Sequence, residues 1–348
     1  MILCLAPRVP PIVTAMATPG WAGRTMLLLM SCELVCLTVS APPTVTLRNG
    51  VKMPLLAAGC WQYNSSTAFD SVSAAFSVGI NMVDTALDYG NQDGVGRALA
   101  SFPRDQIFVE TKVPGCGLDK STLNLLDCYK DTQKNLESDL SLLNVSYVDL
   151  VIVHFPPVTS FVTRSCNNWS GGCEMVRAQW KAMEEFYKQG KARAIGVSNY
   201  CPSCYDCLKS ADIFPMVNQI QFHLGMGTDP AGFVSYHKKM GVQLQAYSVL
   251  GNNPIKHSAS EEILRGNLTT SIGKSHNKSS VQVALKWVVD QGIPAVTKSA
   301  NAKHLKEDLD LWSWELTAAE KEALDNHRNP AGSPSFACSS ETASEFVV

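Results

Sequence analysis

Eight short, nearly continuous apolar runs recur along the chain, at residues 55–60, 81–86, 107–113, 148–155, 192–199, 216–222, 242–250 and 293–299. Apolar residues at both parities of a strand mean that both faces are buried, which is the habit of parallel strands covered by helices. The intervening segments carry helical periodicity. "DTQKNLESDLSLL" puts Leu136, Leu140 and Leu143 on one face, and "VQVALKWVVDQG" does so with Val281, Ala284, Leu285 and Val288, with Gly292 expected as its C-cap. Eight such strand–helix units over about 250 residues match a closed (β/α)8 TIM barrel. An open doubly wound sheet would want a glycine-rich phosphate turn after its first strand, and "GCWQYNSS" is not one. In "TVTLRNGVKMP", Asn49-Gly50 sits between alternating residues and predicts an N-terminal β-hairpin with a two-residue turn. One barrel domain is expected over 42–328, followed by a tail, 329–348.

The 348 residues are 45% hydrophobic with a net charge of -2, enough for a large core and without the basic excess of a nucleic-acid-binding chain. Residues 1–41 read as a targeting extension. No acid occurs before Glu33, and "RTMLLLMSCELVCLTVSA" passes from Arg24 through an apolar run to Ser40 and Ala41, the order of a signal peptide. Glu33 and the Pro42-Pro43 pair depart from that pattern, so a start at Met26 and an organelle presequence stay open. The run is too short and interrupted for stable membrane insertion. The expected location is the secretory pathway or outside the cell, with a cytoplasmic or organellar alternative. Sequons at Asn64, Asn144, Asn168, Asn267 and Asn277 fit a glycoprotein. Among the twelve cysteines, Cys201, Cys204 and Cys207 form a C-x-x-C-x-x-C run. With Pro202 at a helix N1 position, Cys201 would sit at a helix start that favours thiolate. A redox or metal role lacks an evident fourth ligand, and no metal is expected. The other reading is structural disulfides joining Cys166 and Cys173 to each other or to this trio.

In a barrel of this kind the active site lies where strands exit toward their helices. Those exits carry Asp84 and, just beyond, Tyr89; Lys112; His154; Ser198 and Asn199; Gln219; Tyr247; and Lys298 with Ser299. Singly, each has a bland reading as a satisfied strand-end group. Four titratable side chains from three consecutive exits are harder to dismiss. Such a set suits carbonyl reduction, which needs a proton donor at the oxygen opposite a hydride donor. Tyr89 is the expected acid, with its pKa lowered by Lys112; Asp84 anchors Lys112, and His154 orients the carbonyl. Asp88 is expected to be an exposed loop residue, and Val95, Ala98 and Leu99 packing residues.

The segments "NMVDTALDYGNQDGVGRAL", "VETKV", "VDLVIVHFP", "GKARAIGVSNY", "NQIQFH", "AYSVLG" and "IPAVTKS" resemble those of the aldo-keto reductases. The resemblance runs from Thr44 to about Leu324 and implies a monomeric NADPH-dependent reductase of aldehydes or ketones with Asp84, Tyr89, Lys112 and His154 as its tetrad. It implies that Ser198, Asn199 and Gln219 hold the nicotinamide carboxamide, that Tyr247 stacks on the ring, and that Ser248 and Leu250 complete that segment. Lys298, Ser299 and Asn301 would meet the 2′-phosphate. His304 stands where the family usually has arginine, Glu307 matches its adenine-contacting acid, and Asp308 replaces a usual asparagine. NADPH is therefore expected with weakened discrimination, NADH being possible. Trp61 and Phe155, with His154, match substrate-pocket positions. The segment "PPVTSFVTRSCNNWSGGCEM" is expected to overhang the mouth of that pocket, and the tail lacks the family's carboxy-terminal ending; both usually set substrate choice. A catalytically weak cofactor-binding regulatory barrel and a thiol-disulfide protein using Cys201 and Cys204 are the alternatives.

Overall fold

A computed structural model describes residues 42–116, 125–157, 166, 171–251 and 260–328. Two antiparallel strands, β1 (Thr44–Thr46) and β2 (Lys52–Pro54), precede β3 (Leu56–Gly59), β4 (Met82–Asp84), β5 (Phe108–Val113), β6 (Leu150–Val153), β7 (Ile195–Ser198), β8 (Val217–Gln221), β9 (Gln243–Tyr247) and β10 (Ala295–Thr297). The last eight are parallel and close into a barrel when β10 pairs with β3, Ala295 opposite Leu56. All eight expected strands are present, each shorter than its apolar run because the flanking residues turn into loops.

The hairpin differs in its turn. Leu47 O accepts from Gly50 N at 2.8 Å and Leu47 N donates to Val51 O at 2.9 Å, with Gly50 at φ 88°. That is a tight turn with a left-handed glycine bulge rather than a two-residue loop. The helix after "NKSS" starts on a Ser279/Gln282 capping box and runs Ser280–Val289. It stops before Gly292, because Asp290 is already the C-cap residue and Gly292 (φ 73°) serves the following turn.

The apolar outer faces of the strands pack on the helices, while one stretch of the barrel interior is polar. Strand alternation puts Glu110 and Lys112 on the inner face of β5 and Thr111 on the outer face. Gln219 from β8 and Gln245 from β9 meet Glu110 inside, and all three are buried. The short helix Gln92–Leu99 packs between the helices Ser65–Val78 and Leu125–Leu143, with Val95, Ala98 and Leu99 buried as expected. Its glycines mark close approach. A Cβ on Gly94 would lie 1.9 Å from Ser65 O, and one on Gly96 2.7 Å from Leu142 O. The segment carrying Asp88 and Tyr89 is thus held at its downstream end by two backbone contacts that no larger residue permits.

Cystines occur on one arc of the barrel. Cys116 pairs with Cys128, Cys166 with Cys204 and Cys173 with Cys207; Cys201 is disulfide-bonded as well, and Cys60 is a buried free thiol. Of the two sequence alternatives, Cys166 and Cys173 therefore join the trio, not each other. Cys201 and Cys204 are not a free dithiol, which removes the basis of the thiol-disulfide reading. Among the described residues no group of three or more His, Cys, Asp or Glu side chains is placed to hold a metal, and no helix is long and apolar enough to cross a membrane. Asn64, Asn144, Asn267 and Asn277 are exposed; Asn168 lies outside the described residues.

Candidate active site

Asp84 is the last residue of β4, and the parallel register sets it beside Glu110 of β5. Two residues further along β5, Lys112 points the same way. Its ammonium has three hydrogens and three acceptors: Asp84 Oδ2 at 2.7 Å, Thr85 O at 2.9 Å and Tyr89 Oη at 3.3 Å. Because the Tyr89 oxygen is an acceptor here, its own O–H is left to donate elsewhere. Burial, the largest single influence, would lower the lysine pKa, but the negative charge of Asp84 together with Tyr89 and Glu110 outweighs it and the ammonium is held above its ordinary value. Burial pushes the Tyr89 phenol up, and the nearby ammonium only partly offsets this. The expected lowering by Lys112 is present as a pull, but the net shift is upward. A phenol with that balance stays protonated near neutral pH, as a proton donor must.

His154 follows β6 and lies edge-on to Tyr89, ring centroids 5.6 Å apart, with Phe155 stacked on it at 4.4 Å. Burial holds the imidazole below its ordinary pKa, against the opposing pull of Asp88. Asp88 is as exposed as expected, but it lies in the turn Leu87–Tyr89 and has a partner. Both its carboxylate oxygens lie within 3.0 Å of His154 Nδ1. Its position next to Tyr89 was the only signal in the sequence. Phe155 thus reaches the site through His154, whereas Trp61 stands 44% exposed after β3.

Glu110 was missed because a charge inside a predicted apolar strand gives no clue to its partners. Burial, then the charge of Asp84, pushes its carboxyl up to about 8. Gln219 Nε2 bridges the two acids, 2.6 Å from Asp84 Oδ2 and 3.0 Å from Glu110 Oε1, and Gln245 Nε2 donates to Glu110 Oε2 at 2.6 Å. Gln219 therefore turns its amide nitrogen into the barrel. On the outer face, Thr111 Oγ1 donates to Asp139 at 2.9 Å and Gln92 Nε2 donates to the same oxygen. Burial pushes the Asp139 carboxyl up to about 7.

The residues expected around a dinucleotide form a second group. Ser198 Oγ donates to Gln219 O at 2.8 Å, Asn199 Nδ2 donates to Ser198 Oγ at 2.8 Å, and Tyr247 Oη donates to Asn199 Oδ1 at 2.8 Å. Asn199 and Ser248 both adopt left-handed φ, 60° and 52°, at the exits of β7 and β9. Leu250 is half-buried beyond Ser248. Past β10, Lys298 lies 3.4 Å from Gln62 Oε1 and over the Tyr63 ring at 4.5 Å, with no carboxylate partner among the described residues. Ser299 Oγ accepts from Asn301 N, and Asn301 caps the helix Ala302–Leu309 through Lys303 N. An unneutralised ammonium, a hydroxyl and a helix N-terminus in one place suit a phosphate. His304 is exposed on that helix, and Glu307 is 3.8 Å from Lys303 Nζ. Asp308 is different: it is buried and accepts from Thr297 Oγ1 at 2.7 Å, and burial raises its pKa to about 6. It faces the barrel wall.

Residues 53–329 match the profile of the aldo/keto reductase family. The chain is 32% identical to the glyoxal reductase of Bacillus subtilis (82% of this chain, 93% of the relative). It is 33% identical to the 9,11-endoperoxide prostaglandin H2 reductase of Trypanosoma cruzi (85% and 92%) and 30% identical to the NAD(P)H-dependent D-xylose reductase I,II of Candida tropicalis (83% and 92%). A crystal structure of an aldo/keto reductase from Brucella melitensis is similar with a TM-score of 0.68 at 27% identity, covering 82% of this chain and 99% of that one. With this profile, these relatives and this barrel, the chain belongs to the aldo/keto reductase family, whose members are NAD(P)H-dependent oxidoreductases.

Proposed function

We propose that the protein reduces aldehydes or small ketones to alcohols with NADPH, Tyr89 giving the proton. The observation that carries this reading is the saturated Lys112 ammonium, bound to Asp84, Thr85 and the Tyr89 oxygen inside the barrel mouth. A dinucleotide held by Ser198, Asn199, Tyr247 and Lys298 would supply the hydride when bound. Tyr89 passes its proton to the carbonyl oxygen, and Lys112 stabilises the phenolate that remains until solvent reprotonates it. Asp84 keeps Lys112 charged and in place. Phe155 and Trp61 give the mouth an apolar wall, and the relatives named for glyoxal and D-xylose support a small carbonyl substrate. Lys298, Ser299 and Asn301 would hold the 2′-phosphate, with NADH accepted less well.

The setting we infer is the secretory pathway, with the enzyme acting as a monomer. Support comes from the cystines, which persist in oxidising compartments, and from the basic–apolar start of the chain. The exposed sequons fit as well; at Asn64 the helix cap uses Oδ1, which leaves Nδ2 for a glycan.

The test is consumption of NADPH with an aldehyde panel, wild type beside Tyr89→Phe, with NADH in parallel. The variant should lose turnover by roughly a hundred- to ten-thousand-fold while binding NADPH normally. Equal turnover in both would rule out Tyr89 as the donor. Tight NADPH binding with no turnover in the wild type would favour the regulatory-barrel reading.

A further inference from the structure

The contact between Asp88 and His154 does more than fill space. Leu87–Tyr89 forms a single 3-10 turn, and from it both Asp88 and Tyr89 reach His154, just past β6. Asp88 is 36% exposed, whereas the His154 side chain is only 12% exposed, so the carboxylate grips the ring from its solvent side. A carboxylate only accepts hydrogen bonds, and the ring nitrogen it meets is Nδ1. Nδ1 must therefore carry the hydrogen. A neutral imidazole has one N–H, and with that hydrogen on Nδ1 the other nitrogen, Nε2, is a lone pair. Orienting a carbonyl oxygen requires a donor.

We propose that Asp88 is a positioning residue that fixes His154 with its proton on Nδ1, so that the ring becomes a donor to the substrate oxygen only as the imidazolium. This rests on the reductase reading above for its kinetic consequence. The second proton comes from solvent onto Nε2 and stays there through the reaction; the proton that ends on the alcohol is the one from Tyr89. The charged and titratable groups facing the ring are Asp88 at Nδ1, Tyr89 edge-on, and Asp84 and Lys112 through space. Asp88 and Asp84 favour the imidazolium; Lys112 and burial oppose it. Phe155 covers one face, and Asn199 Nδ2 holds the backbone carbonyl of His154 at 3.2 Å. Reduction should thus be favoured on the acid side and decline as His154 loses its second proton.

The experiment combines ring-nitrogen NMR of the full-length, histidine-labelled protein with kcat/KM for an aldehyde against pH, in wild type, Asp88→Leu and Asp88→Asn. The wild-type neutral ring should show Nδ1–H. In Asp88→Leu the signals should move to the Nε2–H tautomer, and activity on the alkaline side should rise several-fold, flattening the pH limb without a change in the KM for NADPH. Asp88→Asn, which can accept or donate, should fall between. Nε2–H in the wild type, or an unchanged limb in both variants, would overturn the proposal. The spectrum needs no turnover. Absent turnover with an Asp88-dependent Nδ1–H supports the dyad and counts against the reductase reading, whereas Nε2–H with normal turnover counts against the dyad alone.

Discussion

The two sides of the barrel mouth are built on opposite principles. Where β4, β5 and β6 exit, charges are buried and mutually satisfied: Asp84 is 4% exposed and Lys112 fully enclosed. Past β10, Lys298 meets an amide oxygen and a ring face and no carboxylate among the described residues, and His304 is exposed. The first side is organised before anything binds, and the second offers charge that a phosphate can neutralise. Chemistry that turns on a proton needs fixed dipoles, since reorganising them during reaction would add to the barrier. A cofactor that must enter and leave is better met by groups that water can reach.

If that contrast is right, removing a cation should damage the two sides differently. Lys112→Met leaves Asp84 buried without its cation, beside Glu110 and the Gln219 amide, and should cost about 3 to 5 kcal/mol of stability as well as all activity. The shift of a denaturant midpoint at unchanged slope would measure it; a near-native midpoint would mean that the buried pair adds little to the stability of the fold. On the open side, Lys298→Met should leave stability within about 0.5 kcal/mol and raise the KM for NADPH roughly tenfold, with NADH little affected. His304→Arg should act in the reverse direction and lower the KM for NADPH, because guanidinium offers the paired donors that imidazole lacks. Equal effects on both cofactors would show that these residues do not meet the 2′-phosphate.

The smallest effect lies behind the wired side. Asp139 is raised to about 7 by burial. A carboxyl whose folded pKa exceeds its unfolded value stabilises the fold at low pH, and that contribution is lost as pH rises from about 4 through about 7. Asp139→Asn should remove this slope, and its amide could donate to Gln92 Oε1, which has no partner among the described residues. The variant should gain on the order of 1 to 2 kcal/mol relative to wild type between about pH 5 and pH 8. Parallel curves against pH would place the titration elsewhere.

The same contrast governs what the sequence made legible. The strands and the segments bearing Asp84, Tyr89, Lys112 and His154 were readable because each apolar run ends in a polar residue at a barrel exit. The Asp88–His154 contact was not, since it joins residues 66 apart through one turn. Glu110 and Gln245 look like polar interruptions of apolar strands until closure brings them face to face. Asp308 takes its place among the cofactor residues from a motif in which asparagine is usual, and its buried hydrogen bond from Thr297 was not legible there. Cysteine pairing stayed open for a related reason: spacing says nothing about which loops a barrel stacks side by side.

The cystine arc bears on the order in which this chain can be assembled during synthesis. Cys116–Cys128, Cys166–Cys204 and Cys173–Cys207 all join residues that have emerged once Cys207 is made. The barrel closes only when β10 reaches β3, bringing Ala295 to Leu56. These three cystines can therefore form while the sheet is still open, and the slow, long-range step is left to a chain whose middle third is already tied.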